Sequence, residues 1–412
     1  MDKFIARQPV FDSHRIVYGY ELLFRSSPAN FFPGLSLDLA CTSTADNLFL
    51  FGIERLTAGR RAFVNCSREF LVRDYAMLLP KDRVVIEILE NTAPDAEVVA
   101  ACQRLKKSGY EIALDDFVDA AEWGRLVDLA DCIKVDFLKA PSQLQARFCR
   151  EYTRRNIRML AEKVETYADF ERAREYGYSL FQGYFFSRPE ILTRHDVPAY
   201  KLNYLRVLQA ANRSELDQNE ITECVKAEAS LSYRLLRYLN SPVFFLVTEV
   251  RSIPHALMLL GERGIRRWVS LVAIACMGED KPQELLMLPL MRARFCELLA
   301  PLARQESAAN DLFLMGLLSA IDAILDMKME DVLKEIPIRS EIRGALLGEE
   351  NVLHGIYDVA LRYERAEWPQ FQEATRQMAI PQESVSDLYV RSMEWAASVL
   401  AGEEAAAHST PA

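Results

Sequence analysis

Residues 83–116 read RVVIEILENTAPDAEVVAACQRLKKSGYEIALDD, and this stretch decides the fold. A β-rich run, RVVIEILE, is followed at 95–109 by a helix-like segment that closes on a glycine, a common stop signal for helices. A second β-rich run, YEIALDD, comes next. A strand, a helix and a second strand in this order predict a βα unit, in which consecutive strands lie parallel in one sheet.

The same alternation covers the first half of the chain, up to about residue 198. The β-rich runs are RIVYGYELLF, RAFVNCS, RVVIEILE, YEIALDD, CIKVDF, IRMLAEK and YSLFQGYFF. This number of βα units favours a closed, TIM-like (β/α) barrel over an open doubly wound sheet. Because such barrels usually have about 250 residues, this one should have short connections.

After Pro198 the β-rich runs end and the pattern becomes helical. Apolar residues recur three and four positions apart, as at Leu231, Leu235, Leu236 and Leu239. The fold class is therefore α/β plus all-α, with a barrel domain at 1–198 and a helical domain at 199–400. Residues 401–412 show no periodicity, so we predict a disordered tail there.

The composition argues against several classes of protein. A net charge of −10 over 412 residues does not suit a duplex nucleic-acid binder. The eight cysteines are scattered without a CxxC pair, which is typical of reduced thiols. The first residues lack the apolar core of a signal peptide, and the most apolar stretch, 312–325, is short and contains Asp322. We therefore expect a cytoplasmic protein that binds neither nucleic acid nor membrane, with 312–325 as a buried helix.

Polar residues recur near the carboxyl ends of nearly all predicted strands, which meet at one rim of a parallel barrel. They are Glu21, Asn65, Glu87, Glu90, Asp115, Asp116, Lys134, Asp136, Glu162, Glu165 and Gln182. Converging carboxylates repel one another unless a cation neutralises them, so the pattern indicates bound metal. A set of oxygen ligands favours Mg²⁺ or Mn²⁺ over zinc, and adjacent aspartates can serve two neighbouring ions.

Each of these residues also has a simpler explanation when it is taken singly. An isolated acid at a strand end is often the N-cap of the next helix or a surface group. Asn65 and Asp116 could be turn residues, and Lys134 could be an ordinary ion-pair partner. Their joint occurrence on successive strands is what favours a functional site.

The first half resembles the EAL domain, the cyclic di-GMP phosphodiesterase module. The naming motif of that family is similar to ELLFR at 21–25, with leucine in place of the alanine. The preceding segment, RQPVFDSHRIVYGYE, is similar to the opening hairpin of the family. The segments FVNCS, IEILE, LDDF, IKVD, AEKVE and QGYFFSRP then follow in the family's order.

The resemblance implies a role for each matching residue, and hydrolysis of cyclic di-GMP to linear pGpG as the reaction. It implies two Mg²⁺ or Mn²⁺ ions held by Glu21, Asn65, Glu87, Asp115 and Asp116. It implies catalytic roles for Lys134, Glu162 and Glu90, the last one as the anchor of a loop. It also implies that Arg25 contacts the substrate and that Gln182 supports the floor of its site.

The chain departs from the family's pattern at two places. The family has a glycine-rich loop after the aspartate pair, whereas this chain has Val118 and no glycine before Gly124. That loop shapes the metal site and the dimer contact in the family, so a homodimer is possible but its contact is altered. The family's glycine in AEKVE is Lys163 here.

These departures keep a second interpretation open beside the enzyme. In that interpretation the protein is an inactive effector or scaffold that binds cyclic di-GMP or a protein partner. A third option, a glycoside hydrolase with paired carboxylates, explains neither Asn65 nor Lys134.

The second half resembles the HDOD domain, a relative of the HD-type metal phosphohydrolases. The stretches that carry the resemblance are AEASLSYRLLRYLNSPVFF and IPHALMLLGERGIRRWVSLVAIA. The catalytic relatives hold metal with a His-Asp pair on a helix, whereas the matching helix, GLLSAIDAIL, has Ser319 and Ala320 there. We therefore expect no metal in this half, and a role in binding a regulatory protein partner. His255 should be a residue of a helix's first turn, and the aromatic residues Tyr233, Tyr238, Phe244 and Phe245 should be core.

Overall fold

The structure is a computed structural model, and it describes residues 4–25, 52–187, 198–213, 215–227 and 252–407. The chain divides into two compact units. The first comprises residues 1–188, 361–376 and 381–387, and the second comprises residues 189–360, 377–380 and 388–412.

An eight-stranded closed barrel forms the first unit, as the sequence predicts. Its strands are β1 (Phe4–Asp12), β2 (Val17–Arg25), β3 (Arg61–Cys66), β4 (Val84–Ile88), β5 (Glu111–Leu114), β6 (Cys132–Asp136), β7 (Arg158–Glu162) and β8 (Leu180–Gln182). Strand β1 pairs antiparallel with both β2 and β8, and all other neighbours are parallel. The β-rich runs in the sequence do not include β1, because Arg7, Gln8 and Pro9 interrupt its apolar pattern.

Short helices connect the strands of the barrel. They are α1 (Ile53–Thr57), α2 (Arg68–Val72), α3 (Ala96–Lys107), α4 (Ala120–Trp123), α5 (Ser142–Thr153) and α6 (Tyr167–Tyr176), with 3₁₀ turns at Tyr75–Leu78, Gly124–Leu129 and Phe185–Ser187. Helix α3 confirms the prediction for 95–109, since the side chain of Asp95 caps it by accepting from the Glu97 and Val98 amides.

One inward-facing layer of apolar side chains fills the barrel. The buried members are Val10, Phe63, Val85, Ala113, Cys132, Leu160 and Leu180, and Tyr18 packs against them. Side chains on a strand alternate between its two faces, so the residue two positions further along faces inward as well. On β3 to β8 the residue two positions after the apolar one is polar, and this spacing places a polar layer directly above the apolar layer.

Residues 361–376 and 381–387 belong to the barrel unit, although the sequence predicts a helical domain for all of 199–400. Residues 361–376 carry an aromatic group that packs on Phe4, with ring centroids 6.3 Å away for Tyr363, 5.9 Å for Trp368 and 5.7 Å for Phe371. The Tyr363 hydroxyl also accepts a hydrogen bond from the Ile5 amide at 3.1 Å. Burial of these rings stabilises the association.

The second unit is all-helical where it is described, as predicted. The helices that follow the barrel are α7 (Ala199–Ala211), α8 (Gln218–Ala227), α9 (Ile253–Met277), α10 (Gln283–Leu302), α11 (Ala309–Leu318), α12 (Ile321–Leu325), α13 (Met329–Glu335), α14 (Ser340–Leu346), α15 (Val352–Glu364), α16 (Trp368–Gln377) and α17 (Val385–Ala407). Two further 3₁₀ turns lie at Glu306–Ala308 and Gln382–Ser384. Helix α17 makes residues 401–407 helical where the sequence predicts a disordered tail, because this segment consists mainly of the strong helix formers alanine and glutamate. Residues 408–412 lie outside the described part.

The prediction of a single helix over GLLSAIDAIL is wrong. Helix α11 ends at Leu318 and α12 begins at Ile321, so Ser319 and Ala320 lie in a break between two helices. The Ser319 hydroxyl donates to the Gly316 carbonyl at 2.7 Å, a local bond that competes with regular helix bonding.

The wider stretch Glu306–Leu325 contains this break. It is long and apolar enough to cross a membrane by length and composition alone, and 61% of an 18-residue apolar window within it is buried inside the structure. His255 is an exposed residue in the first turn of α9, as predicted. The aromatic residues at 233–245 and the leucines at 231–239 lie outside the described residues.

Candidate active site and metal centre

The polar layer at the carboxyl ends of the strands gathers most of the predicted site residues. Strands β2, β3, β4, β6, β7 and β8 contribute Glu21, Asn65, Glu87, Lys134, Glu162 and Gln182, and Asp115 follows β5 directly. Glu87 is fully buried and Lys134 is 1% exposed. The structure therefore brings together residues that lie up to 161 positions apart in the sequence.

The ammonium group of Lys134 lies among four carboxylates. Its Nζ is 2.7 Å from Glu162 Oε1, 3.0 Å from Asp115 Oδ1 and 3.3 Å from Glu21 Oε2, and it also contacts Glu87 Oε1. One positive charge cannot balance four ionised carboxylates in a buried site. The cluster therefore has an excess of acid that favours either bound protons or further cations.

Two amide side chains complete the cluster by holding Glu21. Asn65 Nδ2 donates to Glu21 Oε1 at 3.1 Å, and Gln182 Nε2 donates to Glu21 Oε2 at 2.6 Å. Gln182 Nε2 also lies 3.1 Å from Gln8 Oε1. Both carboxylate oxygens of Glu21 are thus oriented by neighbours.

The donor atoms suit divalent cations. Ligand atoms of Glu21, Glu87 and Glu162 lie within 4.8 Å of one another, and so do those of Asp115, Asp116 and Glu162. These two groups share Glu162, as expected of two neighbouring ion positions. Three residues of the cluster also have a buried oxygen without a hydrogen-bond partner in the described part of the chain, namely Asn65 Oδ1, Glu87 Oε2 and Gln182 Oε1. Such oxygens are costly to bury unless they have a partner, and they are the ligand atoms that Mg²⁺ and Mn²⁺ prefer.

The pKa values of the cluster diverge. Burial raises the pKa of Glu87 well above its ordinary value, and the charge of Glu21 adds to this effect. Burial also raises the pKa of Glu162, to about 8, against the opposing effect of Lys134. For Glu21, burial is outweighed by Lys134 and by the bonds from Gln182 and Asn65, so its pKa is lowered. The pKa of Lys134 is raised well above its ordinary value, because the four acids outweigh the effect of its burial. Lys134 is therefore cationic at neutral pH.

Two further lysines lie at the rim beside the cluster. Lys139 pairs with Asp116, and Lys163 pairs with Asp136, whose carboxylate also accepts from the Leu138 and Lys139 amides. Lys163 has a φ of 52°, in the left-handed region that favours glycine. This backbone explains why a glycine suits the position in the family.

Three predicted features lie outside this cluster or beyond the described side chains. Glu90 is exposed two residues after the end of β4, where it interacts electrostatically with Lys139. Arg25 is the last residue of β2, and its side chain lies outside the described part of the structure. In the altered loop Val118 is 54% exposed, whereas Phe117 is buried and stacks with Trp123.

Gln8 and Lys139 are site neighbours that the sequence analysis does not identify. Gln8 faces Glu21 across the hairpin of β1 and β2, so the register of that hairpin could have indicated it. Lys139 follows β6 by three residues and has no signal of its own, because ordinary surface lysines look the same in sequence.

Comparisons with known proteins agree with this arrangement. The EAL domain family model matches residues 68–189, and the HDOD domain family model matches residues 197–355. The chain is 34% identical over 404 residues to the uncharacterized protein YuxH of Bacillus subtilis (strain 168), which covers 96% of this chain and 98% of the relative. It is 32% identical over 398 residues to the cyclic di-GMP phosphodiesterase CdgJ of Vibrio cholerae serotype O1, with coverage of 95% and 92%.

Among solved structures, Klebsiella pneumoniae BlrP1 in its calcium/cy-diGMP complex matches with 23% identity and a TM-score of 0.39. That match covers 46% of this chain and 56% of the other.

A closed βα barrel with a buried group of acids, amides and one lysine at its carboxyl rim places this protein in the class of EAL-type barrels. Two relatives above 30% identity extend over nearly the whole chain. The chain belongs to the family of two-domain proteins in which an EAL domain precedes an HDOD domain, which confirms the resemblance found in the sequence.

Proposed function

We propose that the barrel hydrolyses cyclic di-GMP to linear pGpG, and that the protein acts in cyclic di-GMP signalling. The EAL match and the similarity to a protein named as a cyclic di-GMP phosphodiesterase support this function. The observation that carries it is the cluster around Lys134, in which four acids share one ammonium group. Burial of such a charged set is costly, so its presence in the barrel favours a chemical function.

The residues that would hold two divalent ions are Glu21, Asn65, Glu87, Asp115, Asp116 and Glu162. When bound, Mg²⁺ or Mn²⁺ would lower the pKa of a water molecule and polarise the phosphodiester. Asn65 and Gln182 would contribute by fixing the orientation of the Glu21 carboxylate. Preorganisation of this kind matters because a misplacement of about 1 Å can cost two orders of magnitude in rate.

Lys134 would stabilise negative charge and would not act as a base. Its raised pKa keeps the ammonium group charged at neutral pH, so it has no free electron pair to accept a proton. A buried positive charge beside the reacting phosphate lowers the energy of the charge that develops in the transition state. Without bound metal, burial raises the pKa of Glu162 to about 8, so this carboxyl group would release its proton when a cation binds.

The rim of the site would attract the anionic substrate. The side chains of Lys139 and Lys163 are 62% and 49% exposed and bring positive charge to an otherwise acidic surface. This charge favours the approach of a phosphodiester. Arg25 would add a contact with a substrate phosphate, and Glu90 would anchor the neighbouring loop.

Turnover by the purified chain tests the proposal. We expect linear pGpG from cyclic di-GMP with Mn²⁺ or Mg²⁺, and its loss in Glu21→Ala and Lys134→Met. Matched controls are Glu151→Ala on α5 and Lys81→Ala, which are both exposed and do not belong to the cluster. Circular dichroism of each variant checks that it folds. Binding of cyclic di-GMP without any product would refute the enzyme and support the effector interpretation.

The remaining parts of the functional picture stay predictions. The free thiols among the described cysteines support a reducing, cytoplasmic location. The barrel site does not test whether the helical unit binds a regulatory partner or whether that unit lacks metal. Light scattering after size-exclusion chromatography would test the homodimer.

A further inference from the structure

A cavity of about 320 Å³ opens within the helical unit, and all of its lining residues belong to that unit. Helices α9, α11 and α14 form its walls, together with the end of α7 and the segment 337–339. Five lining residues are arginines, namely Arg213, Arg263, Arg266, Arg267 and Arg339, and the acid on the wall is Asp311. This composition is unusual in a protein whose net charge is −10.

Helix α9 supplies the central part of the basic wall. Arg266, Arg267 and Ser270 lie three, four and seven positions after Arg263, so the four residues share one face of the helix. Like charges at these spacings destabilise a helix, so the cluster has a cost. Carboxylates reduce that cost for two of the arginines, because Arg266 pairs with Glu262 at 2.7 Å and Arg267 lies 3.0 Å from Glu297.

The other arginines keep donors for a ligand. Arg213 pairs with Glu220 at 2.6 Å through one nitrogen, and Arg339 pairs with Asp311 at 2.6 Å and with Glu341 at 3.2 Å. Arg263 is exposed, and no ion pair or hydrogen bond of its side chain occurs among the described residues. A guanidinium group has five N–H donors, so Arg213 and Arg339 also retain unused ones. Arg266 is engaged more fully, because it donates to the Ala211 carbonyl as well as to Glu262. The wall therefore presents an excess of donors for an anion.

An aromatic and aliphatic surface completes the cavity. The guanidinium group of Arg267 stacks on the ring of Phe313, at 3.9 Å from its centroid. Leu314, Pro337 and Ile338 add apolar area that is accessible from the cavity. The buried hydroxyl of Ser270 and the side chain of Asn310 are uncharged polar groups on the same wall. A planar group could therefore lie on the apolar part while its edge meets hydrogen-bonding groups.

We propose that this cavity binds a nucleoside monophosphate. Arginine recognises phosphate through paired hydrogen bonds, and an apolar slot with a few amide and hydroxyl groups suits a heterocyclic base. The volume is at the lower end of the range of small-molecule pockets, about 300–1,000 Å³, which fits one nucleotide better than a dinucleotide. The concave shape and small size disfavour an extended acidic peptide.

Titration calorimetry of the full chain with 5′-GMP tests the proposal in the presence of a chelator. Removing one charged hydrogen-bonding partner of the phosphate should weaken binding by about tenfold in Arg263→Ala and in Arg339→Ala. The matched control is Arg206→Ala, an exposed arginine on α7 outside the cavity. Arg263→Ala should fold normally, since this side chain has no partner to lose among the residues that the structure describes, and a melting curve checks it. The proposal does not depend on turnover by the barrel, and Glu21→Ala should bind 5′-GMP as the wild type does.

Four outcomes would overturn the proposal. The first is an absence of 5′-GMP binding, and the second is binding that neither cavity variant weakens. The third is loss of binding in Glu21→Ala, which would place the nucleotide in the barrel. The fourth is equal affinity for guanosine, for inorganic phosphate or for a hexaglutamate peptide, because the ligand would then lack either the phosphate or the base that the argument requires.

Discussion

Replacing Glu162 with glutamine should change how the stability of the barrel depends on pH. Burial raises the pKa of this carboxyl group from 4.5 to about 8, against the opposing effect of Lys134. Between these two values the folded state keeps a proton that the unfolded chain has released. The free energy of unfolding therefore falls as the pH rises through this window, when no metal ion is bound.

The size of the effect follows from the shift. At about 1.4 kcal/mol per pKa unit, the full shift corresponds to at most about 5 kcal/mol. Glutamine cannot ionise, so the free energy of unfolding of Glu162→Gln should fall less steeply, by up to about 1.4 kcal/mol per pH unit. A residual slope should remain, because burial also raises the pKa of Glu87.

Urea unfolding followed by circular dichroism at several pH values from about 5 to 8, with a chelator present, measures this slope. Glu151→Gln, an exposed substitution on α5, is the control and should keep the wild-type slope. Added Mn²⁺ should flatten the wild-type curve, because a cation favours the ionised carboxylate. Parallel curves for the wild type and Glu162→Gln in chelator would refute the reasoning.

Three further substitutions test other parts of the barrel unit. Arg158→Ala removes a partner of Glu111, whose pKa is lowered because Arg61 and Arg158 outweigh the effect of burial. The free energy of unfolding in urea should therefore fall by about 1–3 kcal/mol above pH 5 and by less in acid. An equal loss at low pH would contradict this. Lys163→Gly should raise the melting temperature, because the left-handed backbone at Lys163 costs about 1–2 kcal/mol for a residue other than glycine. The KM for cyclic di-GMP should increase because a positive charge at the rim is lost, and an unchanged KM would argue against a substrate contact. Tyr363→Phe leaves the buried Ile5 amide without its acceptor and should cost about 1–3 kcal/mol in urea unfolding, whereas a loss within error would show that the hydroxyl is dispensable.

The barrel site could be predicted from the sequence because its pattern is local. A polar residue stands two positions after a buried apolar one on each of six strands, as with Phe63 and Asn65 or Cys132 and Lys134. The alternation of strand side chains turns this spacing into two stacked layers. Neither tertiary contacts nor distant partners are needed to anticipate that the second layer gathers at one rim.

Features that depend on partners far apart in the sequence could not be predicted in this way. Tyr363 packs on Phe4, which lies far away at the start of the chain, and no local sequence pattern predicts this contact. The break at Ser319 and Ala320 depends on a serine hydroxyl that bonds backwards to Gly316 instead of continuing the helix. The basic cavity needs arginines from α9 and from the segments after α7 and before α14 to meet, and only the row on α9 is visible in the sequence.

The two layers of the barrel also make the chemistry depend on the core. The apolar layer excludes water beneath the carboxylates, which is why burial shifts the pKa values of Glu87 and Glu162 so far. The same backbone fixes both layers, since Leu160 and Glu162 are two residues apart on β7. A substitution in the apolar layer that moves a strand by a fraction of an ångström therefore displaces a carboxylate of the polar layer as well. Stability and activity of this barrel should consequently respond together to changes in the apolar layer, whereas loss of the exposed Lys139 ammonium group at the rim should affect mainly substrate binding.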